Sequence, residues 1–370
     1  MADQRKIQDG CLEIPSLVDL HVHFREPGNP EKETIGSGLQ SALASGYGLV
    51  CTMPNLNPAP DCLENLKVQM DIISSLSSSR GSSSSSSLRG SRGSKGACQI
   101  MPFGCITKGR MGKEPADYKE MLPYVAGFSD DGSGVDDDAL MEECMKRVAE
   151  LGGLMVCHCE KGNGDDRQRE WTEVERNIAL SKKTGCRVHL CHISTKESIA
   201  LIRKGKADGV KVSCETAPHY LLFSDDENQT LRQTPGGAYK MNPPIGTKED
   251  RKALVEALCD GTIDVIATDH APHTEDDKAR GANGIVGLES AFPVMYTHFV
   301  RKGIITIDRL IDLMSLNALK ILGIDAENWA TVLMDVEHPF IIDASKFRSK
   351  GRCCPFDGWE VFGKVKEVSG

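Results

Sequence analysis

From Leu17 onward, short apolar runs rich in Val, Ile and Leu alternate with longer stretches in which apolar residues recur at helical spacing. That alternation of periods indicates βα units wound around a parallel sheet. The apolar runs fall at residues 17–22, 48–53, 98–103, 126–129, 153–157, 187–191, 210–214 and 262–267. Eight parallel strands predict an α/β protein whose sheet closes into a (β/α)8 barrel of the TIM type. Ser194 opens the sequence STKE, a capping-box pattern in which Ser194 and Glu197 satisfy exposed amides, so a helix is expected after the sixth strand. Residues 74–96, SSLSSSRGSSSSSSLRGSRGSKG, break both periods. Such Ser/Gly/Arg sequence buries too little apolar area to offset ordering its backbone, and a mobile loop is expected there. It follows the second helix and precedes the third strand, which puts it on the barrel face opposite the strand C-termini.

Length and composition agree with this pattern. At 370 residues the chain suits a single barrel of roughly 250 residues with added segments. Residues 1–322 are read as the barrel and 323–370 as a C-terminal tail. Charged residues make up 26% and hydrophobic ones 39%, the balance of a soluble globular protein. The longest apolar runs, such as 261–267, are too short to span a bilayer. The first twenty residues lack the apolar core and cleavage site of a secretory signal, so a cytoplasmic location is expected. The 14 cysteines are scattered without a disulfide framework and are read as reduced packing thiols, Cys157 and Cys159 around His158 included. A net charge of −9 argues against nucleic acid as a partner, and an anionic substrate would need local positive charge.

The candidate chemistry lies at strand ends. His21 and His23 in VDLHVHFREP share one side of the first strand, because side chains alternate along a strand. His158 closes the fifth strand, His192 the sixth in LCHIST, and Asp269 the eighth in IATDHAPH. The C-terminal ends of barrel strands converge on one mouth. Imidazole and carboxylate are the ligand set of zinc or a similar divalent ion.

The segments DLHVHFREPG, TMPNLNPAPD, FSDDGSGV, HCE, CHISTKES, YKMNPPIGTKEDR, IDVIATDHAPHT and GIVGLESAFP resemble the amidohydrolase superfamily, and within it the dihydroorotases of the bacterial, Bacillus-like type. The resemblance runs from about Ile14 to Leu322. It implies two zinc ions per chain, one held by His21 and His23, the other by His158 and His192, with Asp131 bridging them and Asp130 as its competitor. Many relatives bridge with a carboxylated lysine on the fourth strand, where this chain has FSDDG and no lysine. The implied reaction is reversible hydrolysis of the cyclic amide of dihydroorotate to N-carbamoyl-L-aspartate in pyrimidine biosynthesis. Asp269 is then both metal ligand and general acid/base, and Arg25 clamps the substrate carboxylate through its planar fork. Asn55, Asn242 and His273 are implied as further substrate contacts, and Asn283 and Gly284 as backbone contacts. His270 and His219 are read as structural.

Two departures from the family pattern stand out. Only some fifteen residues precede the first strand, so the family's small β-sandwich is expected to be reduced or absent, with the tail after Leu322 a remnant of its C-terminal half. The loop before GIVG reads GAN where relatives typically carry an aromatic. The resemblance further implies a small-molecule substrate, a homodimer and association with aspartate transcarbamoylase, with no nucleic-acid or membrane partner. The competing readings are another cyclic-amide hydrolase of the hydantoinase or allantoinase type, and a catalytically silent scaffold. The intact ligand set argues against the scaffold.

Overall fold

The computed structural model describes residues 9–78, 98–160, 165–226 and 239–367. Strands β2 (Leu17–Val22), β3 (Tyr47–Thr52) and β4 (Gln99–Pro102) pair in parallel, as do β5 (Leu154–Cys157), β6 (Arg187–Leu190), β7 (Val212–Thr216) and β8 (Val265–Ile266). Every residue of β2, β3 and β5 is buried, which is why these strands read as continuous apolar runs rather than as alternating ones. Two seams close the ring. Residues 126–129 bridge β4 to β5 through Phe128, which pairs with Gly104 on one side and Met155 on the other. On the far side Val22 pairs with His270 just beyond β8. The expected fourth strand is therefore a short bridging segment held by Ala126 N–H to Pro102 O at 2.9 Å and Phe128 N–H to Leu154 O at 2.9 Å.

Helices α1 (Ile35–Ala44), α2 (Leu63–Ser78), α3 (Tyr118–Met121), α4 (Asp138–Glu150), α5 (Asp166–Thr184), α6 (Lys196–Ala207), α7 (Pro218–Leu222) and α8 (Lys248–Asp260) occupy the connections. Their starts follow local chemistry: Thr34, Asp137, Asp165 and Thr247 each accept a backbone N–H in the first turn. The start of α6 differs from expectation. Thr195, not Ser194, is its N-cap, accepting from Ser198 N–H, because Ser194 is taken up through its amide and hydroxyl by the buried Glu170 of α5. The segment read as a loop from Ser74 onward also begins later, since residues 74–78 complete α2. Residues 79–97 of that segment lie outside the described residues.

The barrel interior is packed by Val18, Leu20, Leu49, Met101, Phe103, Val156 and Val265 together with Ala318, Leu319 and Trp329. The last three come from below. Trp329 Nε1–H and Ser315 Oγ–H both donate to Ser16 O, at 2.9 and 2.8 Å, and Asn317 Nδ2–H donates to Asp264 O at 2.8 Å. The helical run through Ser315 and Asn317 thus plugs the N-terminal end of the barrel and leaves the C-terminal end for chemistry.

Beyond the barrel, β9 (Thr331–Asp335) lies between β1 (Cys11–Pro15) and β12 (Lys364–Glu367) in an antiparallel sheet, with β10 (Phe340–Ile341) and β11 (Glu360–Val361) paired beside it. The small sheet thus draws on both ends of the chain. Residues 11–15, read as part of the barrel's 1–322, supply one edge of this sheet instead.

Candidate active site

His21 and His23 sit where β2 ends. The His21 backbone N–H donates to Asp19 Oδ1 at 2.9 Å and that of His23 to His270 O at 2.8 Å, so both residues are held from the main chain outward. His21 Nδ1 lies 2.6 Å from Glu215 Oε1 on β7, each side chain being 1% exposed. A buried carboxylate at that distance accepts a hydrogen bond from Nδ1–H and leaves the Nε2 lone pair facing the barrel mouth. His21 Nε2 is 3.3 Å from His158 Nε2. The ring centroid of His158 lies 4.9 Å from that of His21 and 4.9 Å from that of His192, and His23 is 5.4 Å from His21. His158 is oriented by Ser129 Oγ, 3.1 Å from its Nδ1.

Two adjacent carboxylates have opposite fates. Asp131 Oδ1 is 3.0 Å from His158 Nε2 and its Oδ2 is 3.4 Å from His23 Nδ1, between the imidazoles. Asp130 turns away, accepting from Ile106 N–H at 2.8 Å, Thr107 N–H at 3.2 Å and the Thr107 hydroxyl, and burial pushes its pKa up to about 6. Asp269 Oδ1 lies 3.1 Å from His23 Nε2 and 3.5 Å from His21 Nε2. Asp269 and His192 have φ of 48° and 34°, the left-handed region that costs a non-glycine residue roughly 1–3 kcal/mol and persists where surrounding structure imposes it. Asp19 holds the residue before Asp269, accepting the Thr268 N–H at 3.2 Å, and burial raises the Asp19 pKa to about 7.

The donor set fits a metal. Ring nitrogens of His21, His158 and His192 lie within 4.8 Å of one another, as do ligand atoms of His21, His23 and Asp131. Asp131 Oδ2 is buried with no hydrogen-bond partner, a state that is costly unless a cation meets the oxygen. A third grouping of His21, Cys191 and Glu215 is a poorer fit, because Glu215 is shared between His21 and His189 Nε2 at 3.0 Å and burial pushes the Cys191 thiol up. All 14 cysteines are free thiols.

The expected substrate contacts have different partners around this cluster. Arg25, 9% exposed, donates from Nε to Pro272 O at 3.3 Å and from Nη2 to His273 Nε2 at 3.2 Å. Burial first, and the Arg25 charge second, push the His273 pKa down to about 4, so its neutral ring accepts that bond. Asn55 Oδ1 accepts from His23 Nδ1 at 3.0 Å, and Asn242 Nδ2 donates to Glu160 Oε2 at 2.6 Å. Gly284 is buried at φ 126°, where a Cβ would lie 2.7 Å from Ala271 O, while its neighbour Asn283 is exposed.

Four supporting residues escaped the sequence reading: Glu215, Glu160, Ser129 and Asp19. Glu160 also reaches His192 Nε2, at 3.1 Å. An acidic residue inside an apolar run, as at Asp19 in residues 17–22, was the available signal, since such groups are rarely buried unless paired. His270 is structural as expected, its Nδ1 accepting from Gly287 N–H at 3.2 Å and its Nε2 lying 3.5 Å from Glu33 Oε2. His219 is buried against Tyr220, ring centroids 4.1 Å apart.

The pattern of the amidohydrolase family matches residues 13–328. The dihydroorotase of Bacillus licheniformis is 39% identical over 385 residues, covering 96% of this chain and 85% of its own. That of Geobacillus kaustophilus is 38% identical over 384 residues, covering 96% and 84%. Among solved structures, the L-hydantoinase (dihydropyrimidinase) of Arthrobacter aurescens superimposes with a TM-score of 0.80 at 24% identity over 98% of this chain and 86% of its own. The inactive dihydroorotase-like domain of the Chaetomium thermophilum CAD-like multifunctional protein does so with 0.69 at 18% identity, over 97% and 93%. At these identities the structures share the fold alone. No helix among the described residues is long and apolar enough to cross a membrane. With the family pattern spanning the barrel and relatives alike over nearly the full length, the chain belongs to the amidohydrolase family.

Proposed function

We propose that this chain acts as a dihydroorotase, opening the cyclic amide of dihydroorotate to N-carbamoyl-L-aspartate and closing it again. The observation that carries the reading is the buried Arg25 guanidinium beside the imidazole cluster, braced by Pro272 O and His273. A planar cation held there suits a substrate carboxylate, which hydantoins lack. The relatives named above as dihydroorotases support the same substrate.

His21, His23, His158, His192, Asp131 and Asp269 would hold two zinc ions. Bound there, zinc supplies Lewis acidity toward the ring carbonyl and brings the pKa of water from about 15.7 to roughly 7. The protein's own groups do the rest. Arg25 orients the ring by its carboxylate, with Asn55, Asn242, His273 and the Asn283–Gly284 backbone as further contacts. Asp269 takes a proton from the attacking water at its carboxylate and returns it to the ring nitrogen as the C–N bond breaks. Closure runs the same transfers backward. Glu215 keeps His21 in one tautomer, and Ser129 orients the His158 ring.

Assaying zinc-loaded protein with dihydroorotate, N-carbamoyl-L-aspartate, hydantoin and allantoin tests the reading. Preference for the first two is expected. Turnover of hydantoin or allantoin in their place would assign the chain to another cyclic-amide hydrolase, and inactivity toward all four would favour the silent scaffold. The sequence resemblance also supports a cytoplasmic homodimer able to associate with aspartate transcarbamoylase. Light scattering of the purified chain, alone and mixed with that enzyme, checks both assemblies.

A further inference from the structure

Lys278 lies on the one-turn helix Glu275–Ala279, which begins six residues after Asp269 with a Thr274–Asp277 capping box. Lysine is among the residues least often buried, yet this one is 7% exposed. Its ammonium donates to Ala282 O at 2.6 Å, Gly284 O at 2.7 Å and Lys240 O at 3.2 Å. An ammonium has three N–H donors, so all of them end on main-chain carbonyls. Burial pushes its pKa down, and the three carbonyl dipoles compensate for the lost hydration.

The carbonyls come from two separate segments. Lys240 stands two residues before Asn242, while Ala282 and Gly284 bracket Asn283. Gly284 N–H adds a direct bond to Lys240 O at 2.9 Å, and Ala271 N–H to Ile285 O at 2.8 Å ties the same loop to the strand end that carries Asp269. The other side of the helical turn reaches the carboxylate clamp. Asp277 Oδ2 is 3.7 Å from His273 Nδ1 and 3.3 Å from Lys32 Nζ, and His273 in turn accepts from Arg25. One helical turn therefore lies between the Arg25–His273 pair and the two loops that carry Asn242 and Asn283–Gly284. None of the three Lys278 bonds goes to the metal-side residues.

We infer that Lys278 is a positioning residue for substrate, locking the Lys240–Asn242 segment and the Asn283–Gly284 loop together as one rim across from the metal cluster. The inference rests on the dihydroorotase reading for its substrate. A methionine would fill the same space with an apolar chain and no donor, leaving Ala282 O and Gly284 O to find other partners and Lys240 O with the Gly284 N–H.

The test compares Lys278→Met and Lys278→Arg with the parent in the full, zinc-loaded chain. It reads kcat and KM for dihydroorotate, bound zinc, and amide hydrogen exchange in residues 239–242 and 282–286. In Lys278→Met, KM is expected to rise about tenfold or more with kcat within about threefold, the pattern of lost substrate binding rather than lost chemistry. Zinc content should stay at the parent's value, and exchange should quicken in the two loops but not in β2 or β6. Lys278→Arg retains charge and donors and should recover part of both losses. Unchanged exchange and KM in Lys278→Met would overturn the inference, as would equal falls in kcat and zinc content. Should Lys278→Met fail to fold, Lys278→Arg decides by the same measures. A parent inactive toward dihydroorotate would defeat the substrate reading, and loop exchange in the variants would then judge Lys278 by itself.

Discussion

At the scale of single residues, the site contrasts groups that hold with the group that moves a proton. Asp269 touches two imidazoles and sits in a left-handed turn, so the asparagine amide fits the same space with the same backbone. Asp269→Asn is expected to keep the fold and much of the metal, with turnover lower by about 10²- to 10⁴-fold in both directions because the proton acceptor is gone. Full recovery on adding excess zinc would reduce Asp269 to a ligand only. Arg25→Lys bears on the other end of the substrate. A compact ammonium cannot bond Pro272 O and His273 while presenting two parallel donors to a carboxylate, so KM should rise with zinc content unchanged; a KM equal to the parent's would remove the clamp. The histidines were legible as candidates because each closes an apolar run. Glu215 was not, since its partner His21 is 194 positions away in sequence.

Elements show how local rules are overridden by neighbours. STKE offers two capping residues in a row, and the sequence alone favours Ser194. Glu170, 24 positions earlier, claims that serine and leaves Thr195 to cap α6. The bridging segment 126–129 shows the opposite case, an element too short to register as a strand that is nevertheless tightly bound on both sides. Gly127 is needed there because a Cβ would stand 2.7 Å from Leu154 O, and a backbone carbonyl cannot rotate aside as a side chain does. Gly127→Ala should cost about 1–3 kcal/mol, read as a lower denaturation midpoint in urea. It should also weaken zinc retention, because Ser129 and Asp131 lie immediately downstream. A variant as stable as the parent would show that the seam between β4 and β5 has slack.

For the whole molecule, the barrel separates a plugged end from a reactive one. Within the low-complexity segment the described structure ends with α2 at Ser78, and the chain re-enters it at the start of β4, both on the face away from the strand C-termini. Deleting residues 79–94 should therefore leave kcat and KM for dihydroorotate nearly unchanged; a large fall in rate with normal folding would place the segment near the site. Treatment with a chelator should abolish activity and lower thermal stability, since a ligand bound only to the folded state stabilises it by mass action, and an active, metal-free preparation by elemental analysis would refute the metal reading. By itself the sequence determined the succession of strands and helices and the placement of His21, His23, His158, His192 and Asp269 at strand ends, because period and position within a run are local properties of the chain. Only the tertiary structure decided that Asp131 and not Asp130 faces the imidazoles, that Thr195 caps α6, that β1 pairs with β9, and that Lys278 gathers two loops. Each of those outcomes depends on hydrogen-bond partners distant in sequence, which become neighbours only when the barrel closes.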